Sequence, residues 1–312
     1  MYALKKIMVC LDATEIDSTL VEFASFLART ESAESIHFVN IIKKAQLPTD
    51  LKKEFPDLIE RALTDRKKEL EKKVIEHFDL TLGIKVKIAV ETGSMPSRHI
   101  LKLAEKHSID AIVVGRKKNI KSNSVVTQRL ARRATCSLLV VPEKDYTKVN
   151  KIMVAADFSK ESVSAMKEAV AVALKESTSN NPVEIVLYNA YQVPVGYHYS
   201  GKSFEQSAMV MKENAKKNYR KFMNKIDTKG IQVTPDFTLV KNEDVSASIE
   251  ENARRHQVDL LVIGGKGKTA STAFIPIGTN TEKLISRVDD IPLLVVRPKH
   301  KNAGLIEMLQ RI

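Results

Sequence analysis

The stretch Lys6-Ile7-Met8-Val9-Cys10-Leu11-Asp12 returns later in the chain as Lys151-Ile152-Met153-Val154-Ala155-Ala156-Asp157. Two further apolar runs recur in the same order: residues 109–115 return as 258–264, and residues 138–141 return as 293–296. The spacing between the three runs is similar in both halves. This repetition predicts two copies of one domain rather than one large fold.

Length and composition agree with two globular domains. A chain of 312 residues suffices for two domains that each close a core, and we predict domains at 1–146 and 147–300 with a tail at 301–312. No uninterrupted apolar run approaches the roughly 20 residues that cross a bilayer. The first residues lack the apolar core of a signal peptide, so we expect a cytoplasmic protein that is not bound to a membrane.

The formal net charge of +12 raises the question of a nucleic-acid partner. The lysines alternate with acidic residues, as in residues 66–73, and such runs usually form solvated helix faces. No nucleic-acid-reading motif accompanies the charge, so we expect no nucleic-acid partner.

The two cysteines, Cys10 and Cys136, lie in or beside apolar strand-like runs. We interpret both as buried structural thiols, because a free cysteine packs as a small hydrophobe. No close-spaced set of His, Cys, Asp and Glu resembles a metal site.

Apolar strands alternate with amphipathic helices in both halves. The predicted strands are 6–11, 36–42, 84–90, 111–114 and 137–141, then 151–156, 183–189, 232–240, 260–263 and 293–296. The predicted helices are 15–29, 48–78 (with a break or new start at Pro56), 96–107 and 125–133, then 162–176, 204–226, 245–256 and 281–288. Each half is therefore predicted as an α/β domain with an open, mostly parallel five-stranded sheet flanked by helices, a Rossmann-like arrangement. Ligands of such sheets lie at the carboxyl ends of the strands.

The strongest candidate site is Ile263-Gly264-Gly265-Lys266-Gly267-Lys268-Thr269, followed by Gly278-Thr279-Asn280-Thr281 at a helix start. Glycines let backbone N–H groups approach an anion, and a helix start with hydroxyls favours phosphate. The two lysines add positive charge. The alternative is an ordinary surface loop with Thr279 as the helix N-cap.

Two common nucleotide motifs are imitated here and rejected. A P-loop would need a glycine at position 262, which is Val262 inside the strand. The dinucleotide fingerprint belongs after a first strand and opens a helix directly, whereas this stretch follows a fourth strand.

The glycine spacing instead resembles the universal stress protein family, and the chain looks like two such domains in tandem over about residues 4–298. The family signature is Gly, two residues, Gly, nine residues, then Gly followed by Ser or Thr. Here Gly264, Gly267 and Gly278-Thr279 match it, with ten residues in the long gap. Both halves also have a first strand ending in Asp (Asp12, Asp157) and a final Leu-Leu-Val-Val strand. The resemblance implies a fold like that of the adenine nucleotide alpha hydrolases.

The resemblance also implies a set of nucleotide-binding residues in the second half. They are Asp157 for the nucleoside, the backbone of Ala190 for adenine, Ile263 at the strand end, Gly264, Gly267, Gly278, Thr279 and Thr281 for the phosphates, and Asn280 through its backbone. The alternative role of Asp157 is to cap the following turn, with Ser159 as the helix cap.

The first half departs from the signature. Gly115 is present, but Lys118 stands in place of the second glycine, and no Gly-Ser or Gly-Thr precedes the helix at Val125. We therefore expect the first half to be a degenerate copy that does not bind nucleotide.

An aromatic cluster follows the second strand of the second half. It comprises Tyr188, Tyr191, Tyr197, His198 and Tyr199. We expect it to pack against the other half, with a lid over the ligand as the alternative.

The function implied is a stress-response protein that binds ATP or another adenine nucleotide, with or without magnesium, in its second half. We see no nucleophile with partners and no carboxylate pair, so the protein is predicted not to be an enzyme beyond slow, incidental hydrolysis. An unidentified protein partner would read the bound state. The two halves are expected to pair as a pseudo-dimer, and a further homodimer is left open. The alternative is an interaction or scaffold protein of the same fold that binds no nucleotide.

Overall fold

The computed structural model describes residues 4–43, 57–117, 125–144, 146, 148–241, 244–267 and 277–297. The described residues divide into two compact units, residues 4–146 and residues 148–297. We call them the first and the second domain. The predicted tail at residues 301–312 lies outside the described residues.

The first domain contains a parallel sheet whose strands alternate with helices. Its elements are β1 (Lys6–Leu11), α1 (Ile16–Glu31), β2 (Ser35–Lys43), α2 (Leu58–His77), β3 (Lys85–Gly93), α3 (Pro96–Lys106), β4 (Ala111–Arg116), α4 (Val125–Arg133) and β5 (Ser137–Pro142). The strands pair in the order β3-β2-β1-β4-β5. Ile7, Met8 and Val9 of β1 are fully buried, as expected of a central parallel strand covered on both faces.

The second domain repeats this arrangement. Its elements are β6 (Lys151–Ala155), α5 (Lys160–Glu176), β7 (Glu184–Tyr191), α6 (Phe204–Met223), β8 (Val233–Leu239), α7 (Val245–Arg255), β9 (Leu260–Gly264), α8 (Thr279–Arg287) and β10 (Leu293–Val296). All pairs are parallel, in the order β8-β7-β6-β9-β10. The prediction of two α/β domains with parallel five-stranded sheets is confirmed.

Two element boundaries differ from the prediction in ways that have a physical cause. The strand expected at 84–90 continues to Gly93, because β3 stays in register with β2 as far as Lys43. The helix expected at 281–288 begins at Thr279, because the extended Gly278 (φ −73°, ψ 145°) serves as its N-cap. Of the helix expected at 48–78, residues 48–56, including Pro56, lie outside the described residues.

The charged run at residues 66–73 lies on α2, where only Leu70 and Val74 are buried. Ion pairs one turn apart join Arg66 to Glu69 and Lys67 to Glu71 along the helix. This is the solvated helix face that the charge pattern predicts. No helix within the described ranges is both long enough and apolar enough to traverse a bilayer.

Candidate functional site

In each sheet the chain moves from the central strand first to one side and then to the other, which leaves a crevice at the carboxyl ends of the strands. In the second domain this crevice, above β6 and β9, holds a cavity of about 180 Å³. The structure brings all nine predicted site residues to its wall: Asp157, Ala190, Ile263, Gly264, Gly267, Gly278, Thr279, Asn280 and Thr281.

Other residues of the wall are missing from the predicted site. They are Ala155, Ala156, Ser162, Tyr188, Val245, Ile249 and Lys266. The spacing of Val245 and Ile249 on one face of α7 was a usable signal, since residues four apart in a helix are neighbours. Lys266 was recognised only as a source of positive charge. Tyr188 was recognised only as a member of the aromatic cluster, and Ser162 carries no local signal, because only the folded sheet brings it to the cavity.

Asp157 holds the turn between β6 and α5. Its Oδ1 atom accepts hydrogen bonds from the Ser159 amide at 3.0 Å and the Ser162 hydroxyl at 2.8 Å. Ser159 is the N-cap of α5, and its hydroxyl oxygen accepts from the Ser162 amide at 3.2 Å. The Oδ1 atom of Asp157 therefore fills the alternative role of capping the turn. The carboxylate also borders the cavity.

A different physical reason explains the glycine at each of the three signature positions. A Cβ added at Gly264 would lie 2.8 Å from the Glu161 Cβ and 3.0 Å from its carbonyl carbon, so this glycine lets β9 pack against the start of α5. A Cβ at Gly267 would lie 2.8 Å from Oδ2 of Asp157. At Gly278 the nearest atom would be 3.6 Å away, which is ordinary contact. The fold thus needs Gly264, whereas a side chain at Gly267 would press on the Asp157 carboxylate of the site and Gly278 has no steric need to be glycine.

The first turn of α8 faces the same cavity. Gly278 is the N-cap and has no side chain, so it offers no cap to the amides of the first turn. Thr279 is the first helical residue, so the expectation that it is the N-cap is wrong, while the loop of that alternative at residues 268–276 lies outside the described residues. The Thr281 hydroxyl donates to the Gly264 carbonyl at 3.1 Å and ties the helix to β9.

Lys266 contributes the positive charge of the site. It lies on the cavity wall, and no described residue forms an ion pair with it. An uncapped helix start and an ammonium group that meet at one cavity form an anion-binding arrangement.

The opposite part of the wall is built from β7 and α7. Asn189 Nδ2 donates to the Ala156 carbonyl at 2.7 Å and joins the ends of β7 and β6. The buried Tyr188 places its hydroxyl 2.6 Å from the Ser248 hydroxyl and 3.2 Å from Asn252 Nδ2. Burial raises the pKa of this phenol above its ordinary value. With Ala190, Val245 and Ile249, this side offers a largely apolar surface.

The first domain has a cavity at the corresponding place, and at about 470 Å³ it is larger. Asp12 occupies the position of Asp157, but its carboxylate forms a 2.7 Å ion pair with Lys117 and accepts from the Thr14 hydroxyl at 2.5 Å. Lys117 corresponds to Lys266. The substitute Lys118 lies outside the described residues.

The structure also describes the two cysteines, both predicted to be buried, and the aromatic cluster after β7. Cys136 is buried, as predicted, whereas Cys10 is only half-buried because it lines the first-domain cavity. Burial raises the pKa of the Cys10 thiol to about 12. In the aromatic cluster Tyr197 packs on Phe204 with ring centroids 5.6 Å apart and Tyr199 is 90% exposed, and the expected packing of the cluster against the other half stays a prediction.

Comparison with known proteins agrees with this description. The profile of the Universal stress protein family matches residues 3–142 and 148–297. No match is found among the curated proteins.

Among solved structures, a functionally unknown protein from Pseudomonas aeruginosa PAO1 is 15% identical, with a TM-score of 0.64 over 100% of this chain and 99% of that one. A putative universal stress protein from P. aeruginosa UCBPP-PA14 is 16% identical, with a TM-score of 0.65 over 99% of both chains. A universal stress protein from Archaeoglobus fulgidus is 17% identical, with a TM-score of 0.62 over 94% of this chain and 98% of that one. At these identities the likeness shows the shared fold.

Proposed function

Because the chain belongs to the universal stress protein family, we propose that it is a stress-response protein whose second domain binds ATP or a related adenine nucleotide. The observation that carries this proposal is the uncapped first turn of α8, which faces one cavity together with Lys266 and Asp157. The whole predicted set of nine residues lines that cavity, and this geometry supports the proposal.

The two ends of the cavity suit the two ends of a nucleotide. Phosphate oxygens would accept hydrogen bonds from the amides of Thr279 and Asn280 and pair with Lys266. The adenine would lie on the apolar side, near Ala190 and Ile249. Gly278 leaves room where a side chain would project between these parts, which explains a glycine that the fold does not require.

We propose that the bound nucleotide acts as a signal and that hydrolysis is slow and incidental. The nearest acid, Asp157, already uses Oδ1 to hold the turn through Ser159 and Ser162, and so is poorly placed as a general base. Among the described residues no group of three potential metal ligands converges. Magnesium would therefore arrive with the nucleotide and be held mainly by phosphate oxygens and water.

The test is calorimetric titration of the full chain with ATP and magnesium, alongside the thermal shift. We expect one site per chain, with AMP and ADP as comparators for the phosphate contacts. Gly278→Val should reduce affinity by at least about tenfold, because the added side chain enters the ligand's space. Its melting temperature without nucleotide should stay close to that of the parent. Absence of heat at millimolar ATP in the parent chain would refute the proposal.

A charge-matched pair of variants separates site chemistry from general electrostatics. Lys266→Ala removes the ammonium group that lines the cavity, whereas Lys202→Ala removes one from an exposed position outside the wall. We expect Lys266→Ala to weaken ATP more than AMP and Lys202→Ala to leave both affinities unchanged. Equal effects of the two variants would contradict a phosphate contact by Lys266.

An interaction protein is the second candidate, and exposed apolar side chains favour it. Val195 is 99% exposed and Tyr199 90%, and Met209 and Val210 on α6 are also exposed. Exposed apolar side chains of this kind would suit a protein partner. A pulldown that compares the parent chain with a variant in which these four side chains are polar tests this second candidate. The pseudo-dimer, a further homodimer and the cytoplasmic location stay predictions.

A further inference from the structure

The strand β3 lies at one edge of the first-domain sheet, where its neighbour is β2. The Lys85 amide donates to the Glu34 carbonyl on the β2 side. Because the backbone groups of successive residues point in alternate directions, those of every second residue from 86 to 92 point away from β2. No hydrogen bond within the described part of the chain reaches these outward groups. The edge of β3 is therefore an open row of donors and acceptors on which another strand can pair.

The residues with outward backbone groups share one kind of side chain. All four are β-branched and half-buried: Val86, Ile88, Val90 and Thr92. Such side chains favour a pleated, half-buried surface, and they stabilise a sheet as cross-strand pairs. The edge therefore has the composition of a strand that is paired on both sides.

The order of residues along β3 is complementary to itself when a second copy runs antiparallel. β3 has nine residues with Ala89 at its centre, so a two-fold axis beside Ala89 pairs the whole strand. Ile88 then lies opposite Val90 of the second copy, and Val86 lies opposite Thr92. These pairs carry the outward groups, so they are the hydrogen-bonded pairs of an antiparallel ladder.

The opposite face of the strand is complementary in charge. In the same register Lys87 lies opposite Glu91 of the second copy, in a non-hydrogen-bonded pair where side chains are closest. Lys87 is exposed and forms no ion pair with a described residue. Glu91 is 42% exposed and uses Oε2 for His99, which leaves Oε1 for a second cation. Ala89 meets its own copy, and its methyl group leaves room at the axis.

The corresponding edge strand of the second domain is β8. Asn40 on β2 and Asn189 on β7 hold equivalent positions, since each donates to the backbone before the aspartate. Val90 pairs with the first asparagine and Phe237 with the second. The strands β3 and β8 therefore correspond residue by residue.

At the edge of β8 two residues oppose pairing. Pro235 stands at the place of Ile88, and its missing N–H belongs to the row directed away from β7. Asp236 stands at the place of Ala89, and its carboxylate belongs to an ion-pair cluster that would meet its own copy at the axis. Prolines and charges of this kind keep sheet edges from pairing, and β3 has neither at these two positions.

We propose that β3 is a dimerisation edge, along which two copies of this chain pair antiparallel about Ala89. The ladder joins their first-domain sheets, and Lys87 of each copy contacts Glu91 of the other. Pairing along one strand edge gives a small interface, below about 1,200 Å² in total, so the dimer dissociates on dilution. The dimer does not depend on the nucleotide site proposed for the second domain, and either can fail without the other.

Sedimentation velocity of the full chain without nucleotide, over an about hundredfold range of concentration, measures the dimer. We expect a shift from monomer to dimer as the concentration rises. Ile88→Pro removes the donor next to the axis and should weaken the dimer by at least about tenfold. The melting temperature at the lowest concentration should stay close to that of the parent, because β8 accommodates a proline at the same place. A parent chain that stays monomeric, or a dimer that Ile88→Pro leaves unchanged, would overturn the proposal.

A charge exchange tests the register. Lys87→Glu and Glu91→Lys each place like charges opposite one another at both contacts, and each should weaken the dimer by at least about tenfold. The two changes together restore opposite charges and should bring the affinity within about threefold of the parent. Lys167→Glu makes the same charge change on an exposed position of α5 and should have no effect. A double variant as weak as the single variants would refute this pairing.

Hydrogen exchange locates the interface in the parent chain. The outward amides of Ile88 and Val90 should exchange several-fold more slowly at a concentration that favours the dimer than at one that favours the monomer. The outward amides of Val233 and Phe237 on β8 serve as controls in the same molecule and should not change. Equal protection at both edges, or protection at neither, would contradict pairing through β3.

Discussion

In the second domain the carboxylate of Asp157 holds a turn through Ser159 and Ser162, while Lys266 has no ion-pair partner among the described residues. In the first domain Asp12 and Lys117, at the equivalent places, bind each other at 2.7 Å. The same two residue types therefore leave a cation available in one crevice and neutralise it in the other.

What the two domains share is the framework around the crevice. Both have the same strand order, and in both an asparagine at the end of the second strand donates to the backbone before the aspartate. What differs is a small set of side chains at helix starts and strand ends. The comparison teaches that this fold fixes where a ligand lies, whereas a few residues decide its polarity.

The largest effect should come from the residue that makes the second cavity small. Tyr188→Val removes a buried ring and leaves Ser248 and Asn252 without the phenol, so we expect the unfolding free energy to fall by about 3 kcal/mol. Thermal and denaturant unfolding, followed by a probe in the second domain, measures it. Tyr188→Phe keeps the ring and should cost about 1 kcal/mol. Equal costs for the two variants would show that the ring is not what fills this wall.

Substitutions at two glycines of the signature should distinguish a loss of packing from a loss of space for the ligand. Gly264→Ala forces a Cβ against the backbone of Glu161 and should cost about 2 kcal/mol of stability. Gly278→Ala meets no close atom and loses only the preference for glycine over alanine at the N-cap, so stability should fall by at most about 1 kcal/mol while ATP affinity falls. Denaturation and ATP titration of both variants test this. A marked loss of stability in Gly278→Ala would show that the fold needs this glycine as well.

A buried histidine makes the pH response of the two domains different. Burial lowers the pKa of His37 to about 4, with Lys87, His107, Lys6 and Lys85 acting in the same direction. The unfolded chain, with an ordinary histidine pKa near 6.5, binds the proton more tightly. This contribution to stability is therefore fully present above about pH 6.5 and is lost as the pH falls toward 4.

The second-domain equivalent of His37 is Val186, which supplies the control. His37→Val should flatten the pH dependence of first-domain melting between pH 6.5 and 4, whatever it does to stability at neutral pH. Melting curves across this range measure the slope. A slope that persists in His37→Val would assign the proton uptake to another group.

The sequence was sufficient for most of the fold because the repeat and the apolar strands are local signals. It also identified the polar end of the second cavity, since glycines and hydroxyls at a helix start have a characteristic spacing. It could not identify Tyr188 or Ser162 as wall residues, because their place depends on which strands become neighbours. It also gave no sign that Cys10 faces a cavity, since a strand residue beside a void and one in a packed core look alike.

The prediction for the first domain shows a second limit of sequence reasoning. The lysine at position 118, in place of the second glycine, shows in the sequence that the nucleotide signature is broken. A broken signature, however, says nothing about volume. The space left by Val39 and the apolar start of α4 is a property of packing, and only the folded domain reveals it.

The smallest effect should come from the ion pair that distinguishes the two crevices. The Asp12 and Lys117 side chains are 54% and 30% exposed, so their coupling should contribute less than about 1 kcal/mol to stability. A double-mutant cycle of Asp12→Asn and Lys117→Met, measured by denaturation at low and high salt, gives the coupling energy. A weak, salt-sensitive value would mean that the pair sets the charge of the cavity mouth and that the fold of the first domain does not depend on it. A coupling well above 1 kcal/mol would make the pair part of the framework, and the contrast with Asp157 and Lys266 would then reflect stability rather than ligand choice.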